Sequence, residues 1–103
     1  VATVLMEIGD EIDGIDELRD RYRRQYQDSP MVVVRDEIPS SGDVRGSARA
    51  HVHVDFDPER RVATAICTID NLLKGASSQA IQALNVAKGY DESTGLPLIP
   101  MMI

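Results

Sequence analysis

The sequence predicts an α+β fold, an antiparallel sheet with two helices, and three observations carry that reading. Residues 49–56 alternate strictly, with Ala50, Val52, Val54 and Phe56 on one side and Arg49, His51, His53 and Asp55 on the other. Ile15, Leu18, Tyr22 and Tyr26 recur at spacings of three and four, which places them on one face of a helix. A second helical period starts only after the strands, from Asn71, so strands and helices are not interleaved as in a doubly wound sheet.

In chain order, Ala2 to Ile8 is apolar and β-rich and is broken by Gly9 and Asp10, which predicts a strand. Asp13 to Asp16 supply capping oxygens for the helix that follows, with Arg19, Asp20, Arg23 and Arg24 on its wet side. Asp28, Ser29 and Pro30 end it, because proline restricts the residue before it. Met31 to Arg35 is a short apolar strand. Asp36 to Gly46 holds Pro39, Ser40, Ser41, Gly42 and Gly46 and reads as a loop. Arg49 to Ile69 forms a β-hairpin turning at Asp57-Pro58-Glu59-Arg60, half buried and half wet. Ala76, Ala80, Leu84 and Ala87 mark the stripe of the second helix, with Gly89 as its C-cap. Residues 90–103 contain two prolines and no period, and an irregular tail is expected there.

Composition excludes several classes. The chain has 103 residues and a net charge of -6, so the basic footprint of a nucleic-acid binder is missing, and docking on an anionic membrane is equally disfavoured. The one concentrated basic stretch, Arg19, Arg21, Arg23 and Arg24, is interleaved with acids and tyrosines and is read as the solvent face of a helix. No apolar run approaches the roughly 20 residues that span a bilayer. The single cysteine, Cys67, permits no internal disulfide and fits a cytoplasmic setting. The first residues, VATVLMEIGDE, have no basic n-region and begin inside an apolar alternation, so a longer parent chain is expected.

The most informative stretch runs from Ile69 to Asn85, IDNLLKGASSQAIQALN. A strand meets polar Asp70 and Asn71, and the helix then opens on the very small residues Gly75 to Ser78. Small side chains let another backbone or a flat ligand approach closely, and free amides at a helix start favour an anion. The plainer alternative is a capped helix packed tightly on a sheet. The spacing of a phosphate-binding P-loop is absent.

This stretch resembles the signature IDNL-x-KGA-x-GQA-x-QN-x-N of N-acetyl-gamma-glutamyl-phosphate reductases and the closely similar lysine-pathway reductases. Ile69, Asp70, Asn71, Leu72, Lys74, Gly75, Ala76, Gln79, Ala80, Gln82 and Asn85 carry the resemblance. Val44-Arg45-Gly46-Ser47, preceded by Pro39-Ser40, is similar to the family's V-x-G-[ST]-N. Ala2-Thr3-Val4 and the helix with Leu18, Arg19, Tyr22 and Tyr26 extend the similarity over roughly residues 1–96. Ala48, Ser78 and Ala83 depart from the pattern.

The resemblance implies that residues 1–89 belong to the C-terminal substrate and dimerisation domain of a semialdehyde-dehydrogenase-like reductase. Their last helix would pack on a separate N-terminal nucleotide-binding domain. It implies an NADPH-dependent reduction of an acyl phosphate to a semialdehyde through a cysteine thioester, in arginine or related lysine biosynthesis. The nucleophile, the catalytic histidine and the dinucleotide fingerprint are not in this chain, so no catalytic residue is assigned here and the chain alone is expected to be inactive. The asparagine beside the nicotinamide maps to Asn71. The resemblance implies NADP as cofactor and the missing domain as partner. An unpaired first strand predicts a homo-oligomer, since open edges pair with other copies.

Three further features have plainer readings. Cys67 lies within the Val62 to Ile69 strand and is taken as a structural cysteine. His51 and His53 share a strand face, but no third ligand is evident, so no metal site is assigned. They read as exposed sheet histidines or as part of a subunit contact. Arg45 is read as structural rather than as an anion contact. The alternative function is a stand-alone dimerisation module without catalysis, which only the residues upstream of Val1 would distinguish. An aspartate-semialdehyde dehydrogenase fits the DNL-x-KGA core less well.

Overall fold

The computed structural model describes residues 1–100, and the last three residues of the expected tail lie outside them. Strands β1 (Ala2–Glu7), β2 (Val32–Val34), β3 (Ala50–Asp57) and β4 (Val62–Thr68) form one sheet in the order β1-β4-β3-β2. Helix α1 spans Ile15–Tyr26 and α2 spans Ser78–Lys88. No helix among the described residues is long and apolar enough to cross a membrane.

The sheet is mixed rather than wholly antiparallel. β1 and β3 flank β4 in antiparallel register, but β2 runs parallel to β3, pairing Val33 with His51. The cause is the connection over residues 35–49. A parallel pair needs a crossover of about a dozen residues or more, and this stretch returns the chain to the same end of the sheet. It is shaped by a short 3-10 turn, Ser41–Asp43, in which the Ser40 amide donates to Asp43 Oδ2 at 2.7 Å.

The hairpin forms as its alternation predicts, with Val54 opposite Ala65 and Phe56 opposite Ala63. At its tip Asp57 Oδ1 accepts from the Glu59 and Arg60 amides at 3.0 and 3.3 Å, an Asx-type turn. Arg61 takes φ 55°, a left-handed conformation that costs a side-chain-bearing residue roughly 1–2 kcal/mol. Its guanidinium offsets that cost by donating to the carbonyls of Gly9 and Ile12 and lying 5.1 Å from the Phe56 ring centroid. The tip of the hairpin is thereby tied to the loop between β1 and α1.

The core is one layer deep. Leu18 of α1 and Ile12 pack on Val54 and Ala63, with Met6, Ile8, Tyr22, Val52, Phe56 and Ala65 around them. The other face of the sheet, with Thr3 and Leu5 of β1 and Thr64 and Ile66 of β4, has no α-helix on it among the described residues, and Leu5 is 71% exposed. A smaller buried group, Met31, Val44, Ser47 and Ala48, closes the end where β2 and β3 begin. Over the described residues the radius of gyration is 15.0 Å, against about 13 Å for a compact domain of this length.

Candidate functional site

The predicted helix start after Asn71 is instead a wide π turn, Leu73–Ser77, from which α2 continues. Its hydrogen bonds skip five residues: Gly75 N to Asp70 O at 3.1 Å and Ser77 N to Leu72 O at 3.2 Å. Such turns are uncommon and are found frequently at functional sites. Here Asp70 holds the turn open. Its Oδ1 accepts from the Leu72 and Leu73 amides at 2.9 and 3.2 Å, while Oδ2 accepts from Gly46 N at 2.8 Å. These amides, the Gly46 amide first, lower the Asp70 pKa, and the Arg45 guanidinium nearby assists. Asp70 thus joins the glycine loop before β3 to the turn after β4. Sequence reasoning had named Asp70 only as part of a motif. Its position just ahead of a helical segment was the available signal, because aspartate is a preferred cap.

Asn71 is exposed, as are Gly75, Ala76 and Ser77, whereas Ser78 is only 2% exposed. A Cβ on Gly75 would come within 3.3 Å of Asn71 Oδ1, so the missing side chain at 75 makes room for the Asn71 amide against the backbone. Leu72, Ile81, Leu84 and Val86 stay exposed nearby in sequence, and α2 buries only Ser78 and Asn85. Lys74 Nζ does not point free: it donates to Gln82 Oε1 at 2.6 Å, and burial pushes its pKa down while Glu92 opposes that shift.

The other candidates are placed elsewhere. Cys67 is half buried on the α1 side of the sheet, and burial pushes its thiol pKa up, away from the thiolate form. Arg45 is exposed. His53, expected on a wet face, is buried at 3% exposure because the segment after β2 passes beside it. Its Nδ1 lies 3.0 Å from Arg35 O and its Nε2 3.0 Å from Asp55 Oδ2. His51 Nδ1 stands 3.1 Å from Arg35 Nη1. A guanidinium has only donors, so this ring nitrogen is the acceptor and the imidazole is neutral. Burial lowers the His51 pKa and Arg35 lowers it further. Among the described residues no group of three histidine, cysteine or acidic side chains is gathered as a metal would need.

Three surface grooves, of about 360, 420 and 510 Å³, lie away from Asn71. One groove of about 360 Å³ runs between α1 and the end of β1, lined by Met6, Ile12, Leu18 and Tyr22 among others. It is the open margin of the core. A surface completed by a second domain need not form a cavity in the first.

Comparison with known proteins bears on the fold and the family. Residues 1–71 match the family described as semialdehyde dehydrogenase, dimerisation domain. The chain is 44% identical over 89 residues to the N-acetyl-gamma-glutamyl-phosphate reductase of Halalkalibacterium halodurans, covering 82% of this chain and 26% of that protein. It is 35% identical over 100 residues to the reductase of the same name from Streptococcus thermophilus, covering 97% of this chain and 29% of the relative. The reductase of that name from Geobacillus sp. (strain WCH70) is 41% identical over 90 residues, 85% of this chain and 26% of that protein. The chain therefore spans between a quarter and a third of the length of these relatives. It belongs to the semialdehyde dehydrogenase dimerisation-domain family, and its similarity to these reductases covers their corresponding quarter to third.

Proposed function

We propose that this chain is the C-terminal portion of an NADP-dependent N-acetyl-gamma-glutamyl-phosphate reductase, supplying the substrate and dimerisation fold and a contact beside the nicotinamide. The observation that supports it best is the exposed Asn71 amide, just before a π turn that Asp70 caps and backed by Gly75 without a Cβ. A side-chain amide both donates and accepts, which suits a carboxamide. When bound, NADPH supplies the hydride that reduces a thioester carried on a cysteine outside this chain. The contribution of these residues is placement. Asn71 orients the ring, the small residues 75–77 admit it, and exposed Leu72, Ile81 and Leu84 offer an apolar seat for the nucleotide domain. The arginine-pathway substrate is the one named in the relatives, and a cytoplasmic setting belongs to the same reading.

A second copy is the other proposed partner. The chain exposes 6709 Å², against roughly 5,700 Å² for a compact monomer of its mass. The difference, about 1,000 Å², is comparable to the ~800 Å² that each partner buries in a standard interface. The β1 edge with Leu5, which is 71% exposed, is the part of that surface proposed to meet the second copy.

Cofactor titration tests the reading. The chain alone is expected to bind NADPH weakly or not at all and to show no reductase turnover, since it has no pyrophosphate cradle. In a longer polypeptide carrying the nucleotide domain, Asn71→Ala is expected to raise KM for NADPH roughly tenfold, the cost of about one hydrogen bond. Tight binding by the chain alone, or an unchanged KM, would show the contact to be misplaced.

A further inference from the structure

Helix α2 continues from the turn that follows the candidate contact Asn71, yet apolar packing does not fix its direction. Its two buried residues, Ser78 and Asn85, are polar, and Ile81, Leu84 and Val86 are 44, 56 and 63% exposed. Among the regular elements its main neighbour is the π turn it grows from. A line of hydrogen bonds holds it instead. Lys74 Nζ donates to Gln82 Oε1, which turns Gln82 Nε2 toward Glu92 Oε2 at 3.2 Å. The other oxygen of Glu92 accepts from Ser29 Oγ at 2.9 Å, and Ser29 Oγ in turn accepts from Met31 N at 3.3 Å, directly before β2. Asn85 Nδ2 donates to the carbonyls of Glu92 and Thr94 at 3.1 and 3.0 Å. Farther along, Ala48 N donates to Pro97 O at 2.8 Å and Ser47 Oγ to Leu98 O at 3.4 Å. Residues 90–98 therefore run as a strap from α2 to the end of the sheet where β2 and β3 begin.

We propose that this strap sets the direction of α2 and its π turn relative to the sheet, with Glu92 as the positioning residue that joins helix and sheet. The importance of that direction for the cofactor rests on the reading of Asn71 given above; the mechanical role of Glu92 does not. Glu92 is suited to the task because a carboxylate accepts at two oxygens at once, and hydrogen bonds to a charged group are about twice as strong as neutral ones. Ser29, Gln82 and the strap lie outside the core cluster of α1 and the hairpin, so loss of the link is expected to leave the sheet folded.

The test is an NMR measurement of residual dipolar couplings on the 103-residue chain. In the native sequence one alignment tensor should fit the amides of α2 and those of β3 and β4 together. Glu92→Ala and Ser29→Ala should each cut the α2 couplings roughly twofold through added motion while leaving those of β3 and β4 in place. Glu92→Gln should restore them, because its oxygen accepts from Gln82 and its amide donates to Ser29 Oγ. Native α2 couplings in Glu92→Ala, with β3 and β4 intact, would overturn the proposal. Failure of the Asn71 reading would appear separately, as an NADPH KM unmoved by Asn71→Ala, and would leave these couplings unaffected.

Discussion

Asp70 shows how a single carboxylate organises two segments that sequence similarity treats separately. It accepts from three backbone amides, one in the glycine loop and two in the π turn, and these hold its pKa below the ordinary carboxylate range. Gly46 can present its amide there because it adopts φ 74°, where a side chain would be strained. His51 is depressed for a different reason, burial first and the Arg35 cation second. The signs agree: a group whose pKa is lowered by folding stabilises the native state above its unfolded pKa and loses that contribution as pH falls through the folded value. Acid unfolding followed by circular dichroism should therefore weaken the fold first below the ordinary imidazole value of about 6.5, as His51 protonates, and again below the carboxylate range, as Asp70 and Asp43 do. His51→Phe should remove the first step, and Asp70→Ala should flatten the second and speed hydrogen exchange at the Gly46, Leu72 and Leu73 amides. A first step that persists in His51→Phe would assign it to another group.

At the scale of elements, α1 does the packing. Leu18 is 5% exposed between Ile12, Val54 and Ala63, while Arg21–Glu17 and Arg23–Asp20 pairs decorate the wet side and contribute little. Leu18→Ala should destabilise the chain by about 2–3 kcal/mol, the low end of the usual range, because the site borders an open groove whose walls can relax. Thermal melts would check this; a loss within the error of a surface substitution would mean that α1 is not what holds the sheet. Helix α1 and the hairpin were readable because their apolar periods are the direct trace of one buried face each, whereas the apolar stripe read for α2, Ala76, Ala80, Leu84 and Ala87, is exposed in this chain. The parallel placement of β2 was not, since a three-residue run such as Val32-Val33-Val34 carries no direction; only the length of the 35–49 connection hinted at it. The π turn was hidden for a similar reason. Its cause is the pair of amide bonds to Asp70, which leaves no period. Asn71 could be picked out only by resemblance, and burial of His53 depended on a loop whose path the alternation did not encode.

For the whole molecule, one helix covers one face of a four-stranded sheet, and on the opposite face the segment after β2 covers His53 while the β1 edge around Leu5 is exposed. With about 1,000 Å² more surface than a compact chain of this mass, the domain is expected to self-associate. Sedimentation equilibrium should show a dimer or larger species, and Leu5→Glu, which places a charge on the open face, should shift it toward monomer by at least tenfold in dissociation constant. A clean monomer at high concentration would refute this.

The π turn has a last consequence for how this region tolerates insertions and deletions. Each residue of a helix advances its side chains by about 100° around the axis. Loss of one residue from Leu73–Ser77, with an ordinary helical turn closing the gap, would rotate α2 by roughly that angle. Gln82 and Asn85 would then face away from the strap and present their amides to empty solvent. The number of residues in this turn, as well as the smallness of Gly75, is therefore what the fold depends on.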